Sequence, residues 1–145
     1  MENLKTQVIV TGGGLVGLTL AIALCRANID VVVIEKQLPE DTINTKTDGR
    51  ASAISSSSIE LLKAISVWEH VKASQPILDI RITDGSSKLF VHYNYNEYGG
   101  KPFGEMVENT YIKAALIESA RKIGVEILIG SVENIKSESG FVNVI

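Results

Sequence analysis

The sequence predicts an α/β fold: a parallel sheet opened by a strand–helix–strand unit, with an antiparallel hairpin set beside it. Three observations carry this. An 18-residue uncharged run, Val8 to Cys25, lies in a stretch that changes character midway. It is β-branched from Gln7 to Thr11 and rich in helix formers from Leu15 to Ala27, with three glycines between. A second β-branched run, Ile29 to Ile34, follows at once, and strand, helix, strand in about 30 residues is the unit that lays down parallel strands. Further on, Ile80 and Ile82, then Leu89, Val91 and Tyr93, alternate with polar neighbours on either side of Asp84-Gly85-Ser86-Ser87, the pattern of a hairpin.

The bulk properties bound the rest. At 145 residues there is room for one ordinary core and hardly for two. With 45% hydrophobic residues the chain falls in the globular range. Its 14 basic and 17 acidic residues, net −3, form no long block and no basic face, so no nucleic-acid partner is expected. Cys25 is the single cysteine, which excludes an internal disulfide and a cysteine-built zinc site and fits a cytoplasmic setting. His70 and His92 lack ligand partners at useful spacing, so no metal is expected. The uncharged run is long enough to raise the question of a membrane span. Its glycines would weaken such a helix, and a strand, a turn and a buried helix account for it better. No transmembrane segment is expected.

The remaining elements read in order. Gln37 to Gly49, with Pro39, Asn44 and Asp48, reads as loop. Ser57-Ser58-Ile59-Glu60 fits a capping box opening a short helix that ends near Val67 or Trp68. Glu97 to Glu105 holds Gly99, Gly100, Pro102 and Gly104 and reads as loop. Thr110 to Ile123 places Ile112, Leu116, Ile117, Ala120 and Ile123 on one side of a helix, stopped by Gly124. Val125 to Ile129 is a third buried strand. Val132 to Ile135 and Phe141 to Ile145 read as antiparallel strands joined by 136–140.

Gly12, Gly14 and Gly17 satisfy G-x-G-x-x-G. The chemistry asks for a tight turn out of the strand, close backbone approach to a pyrophosphate, and close helix-on-strand packing. The phosphate charge then faces the helix N-terminus at Gly14, Leu15, Val16 and Gly17. Glu35 follows Gly17 by 18 residues, at the end of the second strand, where an acid accepts ribose hydroxyls and disfavours a 2′-phosphate. This makes the unit Rossmann-like and fits NAD or FAD; the motif does not separate them. The polar loop, short helix and hairpin that delay the third parallel strand argue against a simple NAD domain.

The order of motifs resembles the flavoprotein aromatic hydroxylases, the p-hydroxybenzoate hydroxylase family, and within it the ubiquinone-biosynthesis branch of 2-polyprenyl-6-methoxyphenol hydroxylase-like enzymes. The residues that carry this are the Gly12 to Gly17 loop, Glu35-Lys36, "DGRASAIS" from Asp48 to Ser55, "PILDIRITDG" from Pro76 to Gly85, and "VENTYIKAAL" from Val107 to Leu116. The resemblance implies an FAD-dependent monooxygenase that uses NAD(P)H and O2 to hydroxylate an aromatic ring, here a polyprenylated phenol. It implies that Gly12, Gly14 and Gly17 face the pyrophosphate and Glu35 the adenosine ribose, with Leu15, Val16 and Lys36 also in the cofactor site; Arg50 is similar to the family arginine that contacts the FAD, and Asn109 stands where relatives place a glutamine or arginine near the flavin. Without it, Arg50 reads as a solvated cation and Asn109 equally well as a helix cap. Asn28 stands where the family has glycine, a substitution that tolerates positive φ. No catalytic side chain is legible.

Two further family signatures would lie beyond Ile145. The resemblance therefore implies an N-terminal portion: residues 1–75 as the first part of the FAD-binding domain, 76–106 as a hairpin of an incomplete substrate domain, and 107–145 as the FAD-binding domain continued. A complementing C-terminal chain is an expected partner, and a prenylated substrate implies a location peripheral to the inner membrane. The alternatives are an NAD-binding dehydrogenase domain and a non-catalytic fragment. Cys25 is expected in the core. Tyr93, Tyr95 and Tyr98 are expected to pack across the hairpin or to line an aromatic cavity.

Overall fold

The computed structural model describes residues 4–38, 41, 43 and 49–145. In chain order the elements are β1 (Val8–Thr11), α1 (Leu15–Arg26), β2 (Val31–Glu35), β3 (Ala51–Ser55), α2 (Ser56–Ala64) and β4 (Gln75–Pro76). Then follow β5 (Asp79–Thr83), β6 (Phe90–Asn94), β7 (Gly104–Glu108), α3 (Asn109–Lys122), β8 (Glu126–Ile129), β9 (Ile135–Glu138) and β10 (Phe141–Val144).

The parallel sheet has the order β1-β2-β8. β1 pairs with β2 from Val8↔Val31 to Thr11↔Ile34, and β2 with β8 from Val32↔Glu126 to Glu35↔Ile129. The central strand shows why its sequence is a continuous apolar run: Val31, Val32 and Val33 are all buried, as a strand covered on both faces requires. Helices α1 and α3 pack on one another and on this sheet. Leu18, Ala21 and Ile22 of α1 meet Leu116 and Ala120 of α3 in a core closed by Val33, Val67 and Val107. The turn out of α1 is made by Asn28 at φ 58, the left-handed conformation that asparagine tolerates better than most residues.

A second sheet, β3-β7-β4, is antiparallel and escaped the sequence reading. β3 runs against β7 from Ala51↔Glu108 to Ser55↔Gly104. The stretch expected as loop from Glu97 to Glu105 is therefore corrected: Tyr95–Tyr98 form a 3₁₀ turn and Gly104 already belongs to a strand. Gly104 is buried, and a Cβ there would fall 2.1 Å from the Ile54 carbonyl oxygen. Its glycine serves close strand approach, which sequence cannot tell from a turn signal.

Other boundaries shift for local reasons. The cap of α2 is Ser55, whose hydroxyl accepts from the Ser58 N–H at 3.2 Å, so Ser57 lies inside the helix and the expected capping box is not formed. The helix ends at Ala64 because Ser66, at φ 54, reverses the chain, and Trp68–His70 form a separate 3₁₀ turn. The strand expected at 132–135 lies at β9 instead, since Gly140, at φ 95, makes a tight turn that pairs Phe141 with Glu138. Of the expected loop 37–49, Pro39, Asn44 and Asp48 lie outside the described residues.

The hairpin β5–β6 forms as expected, with Ile80↔Tyr93 and Ile82↔Val91 on one face. On the other face, Asp79 Oδ1 takes the Asn94 amide and lies 2.9 Å from His92 Nε2. Tyr93 packs on Tyr98, with ring centroids 5.6 Å apart, and Tyr98 on Phe103, so these rings stack at the 3₁₀ turn that follows β6, whereas the strand partner of Tyr93 is Ile80. Cys25 is part-buried against the core, its thiol donating to the Ile123 carbonyl. No helix among the described residues is long and apolar enough to cross a membrane.

Candidate functional site

The candidate site lies at the C-terminal ends of the parallel strands, the end at which open α/β sheets bind ligands. β1 stops after Thr11, and Gly12 leaves it at φ +100, a backbone that side-chain-bearing residues rarely adopt. The Gly12 N–H donates to the Ile34 carbonyl at 2.8 Å, holding the loop to β2. Gly14 then occupies the cap position of α1, at φ −75 and ψ −171, with no side-chain cap. A Cβ on Gly14 would meet nothing within 4 Å. The loop therefore leaves open space in front of a helix N-terminus whose first amides have no side-chain acceptor among the described residues, the combination an anion needs.

Leu15 turns inward and packs against the core, whereas Val16 is 83% exposed beside the loop. Gly17 faces β1. A Cβ on it would lie 2.0 Å from the Gly12 carbonyl oxygen and 3.3 Å from Val10 Cγ1, so the third glycine of the motif is required by packing.

Glu35 ends β2, and its own carbonyl accepts from the Gly130 N–H at the end of β8. Its carboxylate faces the glycine loop. Oε2 accepts from the Gly13 N–H at 2.5 Å, while Oε1 accepts from Lys36 N at 2.7 Å and Gln37 N at 3.3 Å. Burial pushes this carboxyl up, but the N–H groups of Gly13, Gln37 and Lys36, with the Lys36 charge, outweigh it and hold the group below the usual carboxylate range. Glu35 is an anion fixed at the end of β2, facing the glycine loop. Lys36 itself is exposed.

The other two expected residues meet at a second place. Asn109 is the first residue of α3, and its N–H donates to the Arg50 carbonyl at 3.0 Å. The alternative of Asn109 as a cap is corrected: Glu108 holds the cap position, without a side-chain bond. The Asn109 side-chain oxygen instead accepts from the Ser52 hydroxyl at 2.6 Å. The structure thus joins Arg50, Ser52 and Asn109 at the β3–α3 junction, with the Arg50 side chain exposed. Sequence reasoning missed Ser52 and Gly13. Alternation of Ser52 with Ile54, both half-buried, was a usable signal for the first; nothing in the motif singled out the second.

An open cleft of about 530 Å³ lies at the opposite end of the sheet, against Cys25, Asn28, Asp30 and Glu126. It sits at the N-terminal ends of β2 and β8 and shares no residue with the glycine loop.

Comparison with known proteins gives the family and the fold. A family model described as "FAD binding domain" matches residues 5–138. The ubiquinone hydroxylase UbiL of Rhodospirillum rubrum is 46% identical over 77% of this chain and 26% of its own length. The 3-demethoxyubiquinol 3-hydroxylase of Escherichia coli is 34% identical over 80% of this chain and 30% of its own. The chain thus spans between a quarter and a third of these relatives. Among solved structures, p-nitrophenol 4-monooxygenase from Pseudomonas putida superposes with a TM-score of 0.74 at 24% identity, covering 99% of this chain and 36% of that one. That likeness concerns the fold.

Proposed function

From a chain that belongs to the FAD binding domain family, we propose the adenine-dinucleotide-binding portion of a flavin-dependent monooxygenase that hydroxylates a polyprenylated phenol in ubiquinone biosynthesis, with NAD(P)H as reductant and O2 as oxygen source. The observation that carries the binding part is the uncapped N-terminus of α1 facing open space at Gly14, beside the fixed Glu35 carboxylate. The substrate class rests on the relatives named above as ubiquinone hydroxylases.

In this reading the backbone of Gly12, Gly14, Leu15, Val16 and Gly17 takes the pyrophosphate. Glu35 and Lys36 lie along the ribose, and Arg50 and Asn109 lie toward the flavin. When bound, FAD supplies the redox chemistry that side chains lack. The chain's own groups bind, orient and fix charge, and this reading assigns no catalytic acid or base among them.

The stretch 76–106 is the start of a substrate domain. Its hairpin pairs only with itself among the described strands and exposes Ile80, Ile82 and Val91 on one face. A further portion of the enzyme, in the same chain or a complementing one, covers that face. A prenyl tail would bring the enzyme to the membrane surface.

The test is an FAD titration of the purified 145-residue chain, followed by flavin fluorescence, beside Gly14→Val. A Cβ at Gly14 meets nothing within 4 Å, so a side chain there is expected to enter the proposed anion space without displacing its neighbours, and circular dichroism of the variant checks that it folds. Saturable binding lost in the variant supports the reading. A folded wild-type chain that binds no FAD, or a variant that binds equally well, overturns it.

A further inference from the structure

We propose that Gly13, the position the glycine motif leaves unspecified, is the positioning residue for Glu35 and thereby sets how strongly the site reads the ribose 2′-hydroxyl of an adenine nucleotide. The inference rests on the FAD reading above and deepens it.

Two independent features of Gly13 converge on one side chain. Its N–H reaches across from the β1–α1 loop to Glu35 Oε2, whereas the two bonds to Oε1 come from the residues directly following Glu35. Its missing side chain is needed as well. A Cβ on Gly13 would lie 3.2 Å from Glu35 Cβ and 3.3 Å from both Cγ and Oε2. These distances are tighter than ordinary contact at three points along the same side chain. Any residue but glycine therefore requires the Glu35 side chain to give by a few tenths of an ångström, away from the position in which the N–H holds it. A larger one pushes further.

The consequence is pre-organisation. An unheld glutamate has three rotatable bonds and loses their freedom when a ligand orders it. Here that ordering accompanies folding, so a ribose hydroxyl meets an acceptor already in place. A carboxylate offers about four acceptor directions. Three N–H groups leave capacity for the hydroxyl, and the held negative charge repels a 2′-phosphate in the same position. Gly13 is in this way part of specificity without touching the ligand.

The test compares FAD with its analogue lacking the adenosine 2′-hydroxyl, on the wild-type chain, Gly13→Ala and Gly13→Val. A hydrogen bond to a charged group predicts that wild type prefers FAD by about tenfold or more. The preference should fall at least twofold in Gly13→Ala and vanish in Gly13→Val, while affinity for the 2′-deoxy analogue holds within about twofold. A residue that merely keeps the loop folded would weaken both ligands together; that result overturns the proposal, as does a wild-type preference retained in both variants. The second readout needs no ligand: the Glu35 carboxyl carbon, titrated by NMR, should move toward the ordinary carboxylate range in Gly13→Ala and Gly13→Val. An unchanged Glu35 titration sinks the positioning role whatever the binding shows. If wild type binds neither ligand, the FAD reading fails and the ribose role fails with it, and the NMR shift alone decides whether Gly13 holds Glu35. Gly13→Ala, the smaller change, decides if Gly13→Val does not fold.

Discussion

Gly17 and Gly12 touch backbone to backbone: a Cβ on Gly17 would stand 2.0 Å from the Gly12 carbonyl oxygen. Neither partner can yield cheaply, because Gly12 is held to Ile34 by its N–H and α1 is held by its core face. Gly17→Ala should therefore destabilise the fold by about 1–3 kcal/mol or more, the cost of overpacking a filled site. Gly14→Ala should change stability by less than about 1 kcal/mol, since its Cβ meets open space. Urea unfolding of the two variants separates them. Equal losses would mean that helix propensity, not packing, governs this motif.

The Glu35 carboxyl gives a pH dependence with a definite sign. Its folded pKa lies below the unfolded one: burial raises it, and the N–H bonds from Gly13, Gln37 and Lys36 lower it by more. The stability it contributes is therefore fully present above the unfolded value of about 4.3 and lost as pH falls through the folded value. The stability gap between wild type and Glu35→Gln should be constant from neutral pH down to about 5 and close below about 4. Urea midpoints of both proteins across that range check it. A gap that persists in acid would assign the effect to shape, not charge.

How far the sequence could be read follows from which forces are local. The β1–α1–β2 unit was legible because each part carries its own signal: β-branched runs, a glycine turn, a helix with one apolar side. Gly124, at positive φ, was legible as a helix stop for the same reason. The β3–β7 pairing was not. Ala51–Ser55 is small and polar, and it is held by a partner some 50 residues away whose closeness depends on Gly104 fitting against Ile54. The site divides likewise. Gly12, Gly14, Gly17 and Glu35 follow a known spacing, whereas the Gly13–Glu35 and Ser52–Asn109 bonds depend on tertiary register.

Apolar residues of similar size should differ sharply in what they contribute. Leu116 is 1% exposed between α1 and the sheet, while Ile82 is 55% exposed on the hairpin. Leu116→Ala should cost about 2–5 kcal/mol through lost burial and a cavity. Ile82→Ala should stay within about 0.5 kcal/mol. Chemical denaturation of both variants measures this directly. A large loss at Ile82 would mean that its face is already covered in the 145-residue chain.

Val16 allows stability and ligand binding to be pulled in opposite directions. It lies in the first turn of α1, is 83% exposed, and no acidic residue occupies that turn. An aspartate there meets the positive end of the helix dipole and should raise stability by about 0.3–1 kcal/mol. The same charge stands where the pyrophosphate of FAD is proposed to bind. Val16→Asp should therefore unfold at higher urea yet bind FAD about tenfold more weakly, with the penalty shrinking as salt screens the repulsion. Val16→Asn, polar but uncharged, should leave FAD affinity within about threefold of wild type. If Val16→Asp binds FAD as tightly as wild type at low salt, the pyrophosphate does not sit at this helix end.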